Sequence, residues 1–356
     1  MYIHSLKMKK ILITGSSGLV GSEAVSFFHK KKFKIYALDN DLRGKLFGRE
    51  HSTNRIKIFQ KKNFSNIQFL NISIENYKNL SKIFKKNKFD LIIHAAGQPS
   101  HDWSAKDPIL DFKVNALGTL NLLELSRIYC PKVVFIFTST NKVYGDSPNY
   151  LRGIKELKTR YEIFNKKKLF SINEKLSIDN TKHSPFGASK ASADLMVQEY
   201  GKYFGLRSAV FRCGCITGPS HRGAKLHGFL SYLVKCIVKN KKYEIYGYKG
   251  KQVRDNIHSY DLIKMFWYFY LKPAYGEIYN AGGGRKNSIS ILETIALVNK
   301  INKGKWNNFV IKKKPRIGDH IWYITNFSKF QKKFKKWKIK YNIKKIIQQL
   351  IQENTK

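Results

Sequence analysis

Short apolar runs alternate with longer amphipathic segments through the first half of the chain. The runs at 10–14, 34–38, 67–70, 90–94 and 133–138 read as strands, and the segments at 19–31, 76–87, 106–129 and 187–204 read as helices. A further strand is expected at 208–212. This alternation predicts an α/β fold, a doubly wound parallel sheet with helices on both faces. The polar stretch 146–183 reads as a long loop over the site. Beyond residue 213 the alternation weakens. Segments 221–246 and 285–345 read as a smaller α/β lobe covering the carboxyl ends of the strands, where such sheets bind ligands. The expected division is 8–212 for the first domain, with 249–277 returning to it, and 213–248 with 278–350 for the second lobe. Residues 1–7 read as an extension, with Met8 as an alternative start. The longest apolar run, 265–271, is short and lysine-flanked, so a core helix is expected there and no membrane span.

The chain has 356 residues, 42% hydrophobic and 26% charged, enough for a sizeable core. Four cysteines, Cys130, Cys213, Cys215 and Cys236, show neither zinc spacing nor a disulfide framework. No metal is expected, and a reducing, cytoplasmic setting is. The formal net charge of +43 invites a nucleic-acid reading. The lysines are scattered along the whole chain, however, so no specific nucleic-acid partner is expected. The positive field instead favours capture of anionic small molecules.

The chemistry starts at the first strand. It runs into Gly15-Ser16-Ser17-Gly18-Leu19-Val20-Gly21, a glycine-punctuated turn that opens a helix. The first glycine permits the turn, the second lets backbone approach a pyrophosphate, and the third lets the helix pack on the strand. The second strand ends at Asp39-Asn40. A carboxylate there suits the ribose hydroxyls of NAD and repels the extra phosphate of NADP.

Further motifs follow in order. They are His94-Ala95-Ala96-Gly97, Thr138 through Gly145, Ser184 through Lys190, and Arg212 through Pro219. After these come Gln252-x-Arg254-Asp255-x-x-His258-x-x-Asp261, Asn280 through Gly283, and Arg316-x-Gly318-Asp319. With the glycine turn, this series resembles the extended short-chain dehydrogenases/reductases, in the nucleotide-sugar epimerase and dehydratase group, from about residue 9 to 340. The resemblance implies NAD held by Gly15, Ser17, Gly18, Leu19, Val20, Asp39, Asn40, Asn71, Ile72, Ala95, Ala96, Gly97, Thr138 and Lys190. It implies a nucleotide sugar held by Gln98, Asn141, Lys142, Arg254, His258 and Arg316, with later contacts from the Arg212 and Asn280 segments. It also implies a homodimer built on helices 106–129 and 187–204. Asn141-Lys142 stands where a 4,6-dehydratase carries two acids, and dehydration needs that second acid/base pair. Within the group the chain looks most like the CDP-paratose 2-epimerase (CDP-tyvelose epimerase) family. That implies transient oxidation and re-reduction of a CDP- or UDP-hexose in surface polysaccharide biosynthesis. A 4-epimerase or a reductase of the same fold is the rival.

One catalytic position departs from the pattern. Oxidation of a sugar carbon needs a base for the hydroxyl proton, and the family uses a Tyr paired with a Lys one helical turn later. Lys190 is present, but the Tyr position is Phe186. Three readings stay open. Another group has become the base, with Cys215, His183, His221 and Lys142 as candidates and Thr140 orienting the hydroxyl. Alternatively, Lys190 or a water serves. In the third reading the protein binds NAD and a nucleotide sugar without turnover.

Overall fold

The computed structural model describes residues 8–165, 168–219, 228–316 and 318–355. Seven strands form the central sheet: β1 (Lys10–Thr14), β2 (Lys34–Leu38), β3 (Ile67–Leu70), β4 (Leu91–His94), β5 (Val134–Thr140), β6 (Arg207–Cys213) and β7 (Glu277–Ala281). They are parallel throughout, in the order β7-β6-β5-β4-β1-β2-β3. The order reverses between β1 and β4, which opens the ligand crevice of a doubly wound sheet. The flanking helices include α1 (Leu19–Lys30), α2 (Tyr77–Lys86), α3 (Gly118–Tyr129), α4 (Pro185–Lys202) and α5 (Ser259–Leu271).

β1, β2 and β4 read as nearly unbroken apolar runs because both faces are buried, whereas the edge strand β3 leaves Gln68 exposed. Ile11 and Ile13 point into a core shared with Val25, Phe28, Phe211, Phe266 and Phe269. Leu12, between them, points into the opposite core with Phe84, Ile92, Leu122, Phe135 and Val197. The apolar run at 265–271 is indeed a core helix, α5. No helix among the described residues is long and apolar enough to cross a membrane.

Three expectations change. The loop expected at 146–183 carries a small antiparallel sheet, Ile154–Glu156 with Tyr161–Asn165 and Lys168–Leu169. Ile163 and Ile172 anchor this segment against Val143, Tyr144, Trp322 and Tyr323. The segment 106–129 is not one plain helix. Asp107 breaks the chain and caps the helix Pro108–Phe112 by accepting the Leu110 N–H at 2.9 Å. A π turn at Lys113–Leu117 then leads into α3. Finally, a boundary at 278 cuts through β7, which completes the central sheet beside β6.

The second lobe is built on strands Cys215–Thr217, Val253–His258, Ser288–Ser290 and Trp322–Tyr323. Helices Phe229–Val238, Ile291–Ile301 and Ile343–Thr355 close its own core around Leu233, Val234, Ile245, Val298 and Ile347. Strand Val253–His258 pairs in this sheet, yet its Ile257 and the following α5 pack beneath the central one. That one strand therefore ties both lobes to the crevice.

Candidate functional site

At the end of β1 the chain turns at Gly15 with φ +65°, a conformation glycine adopts without steric cost. A Cβ on Gly21 would lie 2.0 Å from the Gly15 carbonyl oxygen, so α1 sits closer to the turn than a side chain permits. Gly18 caps α1 without a side chain, and the Ser22 N–H makes a helical bond to the Gly18 carbonyl. The N–H groups of Leu19, Val20 and Gly21 precede it and are left for a ligand, at the end of the helix where the macrodipole favours an anion. Gly15, Gly18, Leu19 and Val20 line a cleft of about 470 Å³.

Asp39 and Asn40 line the same cleft from the end of β2. The Asp39 carboxylate accepts the N–H of Ser17 at 2.8 Å and of Asp41 at 2.9 Å. Burial pushes its pKa up while these two donors pull it back. Ser17, expected as a direct contact, is instead buried and does not line the cleft, and its N–H is spent on Asp39. Asn71 is exposed and lies outside the cleft lining, which the next residue, Ile72, reaches.

On the other wall lie Ala95, Ala96 and Gly97. Their backbone is held by a buried relay. Thr119 Oγ1 donates to the Asn115 carbonyl at 2.6 Å, so it accepts from His94 Nε2 at 2.9 Å. His94 Nδ1 therefore accepts from Thr14 Oγ1 at 2.7 Å, and Thr14 in turn accepts the Ala96 N–H at 3.2 Å. Burial keeps the His94 pKa well below its usual value, so the ring stays neutral. A free helix N-terminus, a carboxylate at the next strand end and a fixed small-residue wall fit a dinucleotide.

The far end of the cleft is lined by Thr138, Thr140, Asn141, Lys142, Phe186, Lys190, Cys215, Arg254, Arg316 and Asp319. Phe186 and Lys190 share one face of α4, a turn apart. Lys190 Nζ donates to the Thr138 carbonyl at 2.9 Å and sits 4.1 Å from the centre of the Phe137 ring. Burial lowers its pKa to about 8. Lys142 Nζ donates to the Gly318 carbonyl at 2.7 Å, and burial lowers its pKa to about 8 as well. The Arg254 guanidinium pairs with Asp319, whose carboxyl lies well below the usual range despite its burial. Arg316 pairs with Asp102 at 3.2 Å.

Several expected residues have other work. His258 is buried away from the cleft. Its ring stacks on Tyr341 at 4.0 Å, Nδ1 accepts the Tyr260 N–H at the start of α5, and Nε2 bonds Gln349. Gln98 lines the cleft, but its amide is committed to Ser100 and Asp111. His183 lies outside, with its ring nitrogens on the Thr181 and Val143 carbonyls. His221 lies outside the described residues. Cys215 reaches the cleft, but burial raises its thiol to about 11, the wrong direction for a base at neutral pH. Arg212 is a buried brace, gripping Asp194 at 2.9 and 3.0 Å. Asn280 bonds the Tyr144 hydroxyl and the Ile172 carbonyl in the interior.

The sequence reading missed two groups. His101 lines the cleft against Phe186. Asn115, in the π turn, also lines it. Its Oδ1 accepts the Gln98 N–H while its Nδ2 reaches Asp111, Ser189 and the Gln98 carbonyl. A π turn at a functional cleft is a recurrent association.

The fold and the cleft define a nucleotide-dependent enzyme of the extended short-chain dehydrogenase type. The chain belongs to the NAD dependent epimerase/dehydratase family, whose pattern it matches over residues 11–282. It is 32% identical over 296 residues to the CDP-paratose 2-epimerase of Salmonella typhi, covering 81% of this chain and 83% of that protein. Among solved structures it is similar to UDP-glucuronic acid 4-epimerase from Bacillus cereus, in complex with UDP-glucuronic acid and NAD. That likeness has a TM-score of 0.78 at 24% identity and covers 97% of this chain and 99% of that one. It is also similar to UDP-glucose 4-epimerase from Thermotoga maritima with UDP-glucose, with a TM-score of 0.77 at 24% identity over 97% and 98% of the two chains.

Proposed function

We propose that this protein is an NAD-dependent nucleotide-sugar epimerase, of the CDP-hexose 2-epimerase kind, serving surface polysaccharide synthesis. The observation that carries the reading is that one cleft brings the glycine turn and Asp39 together with Thr140, Lys190, Arg254 and Arg316. Bound NAD supplies a hydride acceptor that later gives the hydride back. The Leu19, Val20 and Gly21 N–H groups would take its pyrophosphate, and Asp39 its ribose hydroxyls. Lys190, fixed over Phe137, presents a cation with a pKa near the working pH. The Arg254 fork suits a diphosphate, and Lys142 and Arg316 add positive charge beside it. Thr140 offers a hydroxyl to orient the sugar. Asn141 and Lys142 lack the acids that water elimination needs, which favours epimerase over dehydratase.

The test is incubation of the NAD-loaded protein with CDP- and UDP-hexoses in deuterated buffer. The expected result is inversion of one carbon, without net consumption of NADH and with its hydrogen retained. Steady consumption of NADH supports a reductase instead. Phe186 favours a second reading, a protein that binds NAD and a nucleotide sugar without turnover. Its expected signature is tight binding of both and no product at high protein concentration.

We also propose a homodimer through the helices of segments 106–129 and 187–204. Ile109, Phe112, Leu117 and Leu195 are large, exposed and on those segments, which supports the reading. Light scattering is expected to give twice the chain mass. The free cysteines suit a cytoplasmic setting.

A further inference from the structure

We propose that His101 is the proton-transfer residue of this cleft, taking at Nε2 the sugar hydroxyl proton that Phe186 cannot accept. The inference rests on the epimerase reading above.

Four observations place it there. His101 is the only histidine among the described residues that lines the cleft. Its ring packs against the Phe186 ring, with centroids 4.8 Å apart and planes inclined by 60°. It therefore stands beside the position from which the family's tyrosine acts. It is also anchored: Ser100 caps the short helix that His101 opens, and Nδ1 lies 2.8 Å from Ser184 Oγ. Among the described residues none hydrogen-bonds Nε2, the other edge of the ring.

The hydrogen-bond arithmetic allows both proton states. Ser184 Oγ accepts the Gly187 N–H at the start of α4, and its second lone pair can accept from Nδ1–H. That arrangement leaves a lone pair on Nε2. When Nε2 takes a proton, the Nδ1–H bond to Ser184 persists and the ring becomes imidazolium. In the forward half-reaction the hydroxyl O–H electrons stay on oxygen as it becomes the ketone, and its proton goes to Nε2. NAD, when bound, would supply the acceptor for the hydride of the same carbon. In the return half-reaction the hydride comes back to the other face, and Nε2 returns the proton to oxygen. Nothing is consumed.

The local charges gate this. Lys142, Arg316 and Asp319 face the ring, and Asp102 on its own helix pairs with Arg316. On the neighbouring helix the ring meets uncharged Phe186 and Ser184, and the charged groups carried by the adjoining helices are Asp111 and Lys190. Burial first, and then the two cations, lower the imidazole to about 3. A diphosphate bound at Lys142 and Arg316 offsets both cations and raises the imidazole from that value, while the larger effect of burial remains.

Two readouts test the inference. In the first, His101→Ala and His101→Gln in the NAD-loaded protein are expected to lose about 10²–10⁴-fold in turnover while NAD content and UDP affinity hold. Added imidazole is expected to restore part of the His101→Ala loss. Turnover that persists in both variants, with the wild type active, overturns the proposal. The second readout is independent of activity. The His101 ring is titrated by NMR with and without UDP, its signal assigned by its disappearance in His101→Gln. UDP is expected to move the titration to higher pH, and no movement overturns the proposal. A wild type inert toward every CDP- and UDP-hexose sinks the epimerase reading, and the titration then still judges His101.

Discussion

Replacing Gly21 with alanine isolates the geometry that makes the turn a pyrophosphate cradle. The added Cβ would lie 2.0 Å from the Gly15 oxygen, 2.7 Å from its carbonyl carbon and 2.8 Å from the Ser16 Cα. All three are backbone atoms, so no side chain can swing aside. Relief requires the start of α1 to retreat by about 1 Å, since carbon and oxygen rarely approach within 3 Å. A hydrogen bond of about 2.8 Å stretched that far ceases to be one. Two bonds from helix N–H groups to a charged pyrophosphate are worth about 1.5–3 kcal/mol each. Losing both costs about 3–6 kcal/mol, or 10²–10⁴-fold in affinity. Gly304→Ala is the control, because the nearest atom to its Cβ is 4.0 Å away. Calorimetric titration with NAD, alongside the NAD content of the purified protein, measures the effect. If Gly21→Ala binds NAD as the Gly304→Ala control does, the close-approach argument fails.

Asp194→Ala leaves Arg212 buried without its partner and removes the acceptor of the Ser139 hydroxyl, so a loss of about 3–5 kcal/mol in stability by urea unfolding is expected. Cys215→Ser is expected to keep turnover close to wild type, since the thiol is protonated at neutral pH; a collapse in turnover restores Cys215 as the base. Phe186→Tyr is expected to lower turnover by disturbing the ring that supports His101. A gain of about 10²-fold or more instead supports the binding-protein reading.

The features legible in the sequence are those whose cause is local. Gly15, Gly18 and Gly21 declare a turn within seven residues, and β1, β2, β4 and β5 are largely apolar runs because each is buried on both faces. The features that escaped join residues far apart in the chain. His101 meets Ser184 across 83 positions, Asn115 meets Ser189 across 74, and Lys142 meets Gly318 across 176. No window of sequence contains such a pair. The π turn is equally hidden, because its residues keep a helical pattern and only the contacts of Asn115 reveal its purpose. Family motifs misled where a polar residue braces the site rather than touching the ligand. His258, Arg212 and Asn280 are all of that kind, and each spends its hydrogen bonds in the interior. In each, a place off the cleft wall rather than residue type separates a bracing group from a binding one.

The same separation gives a pH prediction for the substrate end. Lys142 lines the cleft with its pKa lowered to about 8, burial being the first cause and Arg254 and Arg316 contributing. A diphosphate beside it offsets those cations and favours the charged ammonium, so the complex holds its proton to higher pH than the free protein. Linkage then fixes the sign: UDP affinity is flat below about pH 8 and falls as pH rises above it, by up to tenfold per unit until the complex also titrates. Lys190, also near 8, sits over Phe137, so Lys142→Met separates the two. Calorimetry with UDP at pH 8.5, in two buffers of different ionisation enthalpy, reports the proton uptake directly. Uptake of up to about three quarters of a proton in the wild type and a clear fall in Lys142→Met is expected. Equal uptake in both, or none in either, removes Lys142 from the diphosphate site and leaves the charge there to Arg254 and Arg316.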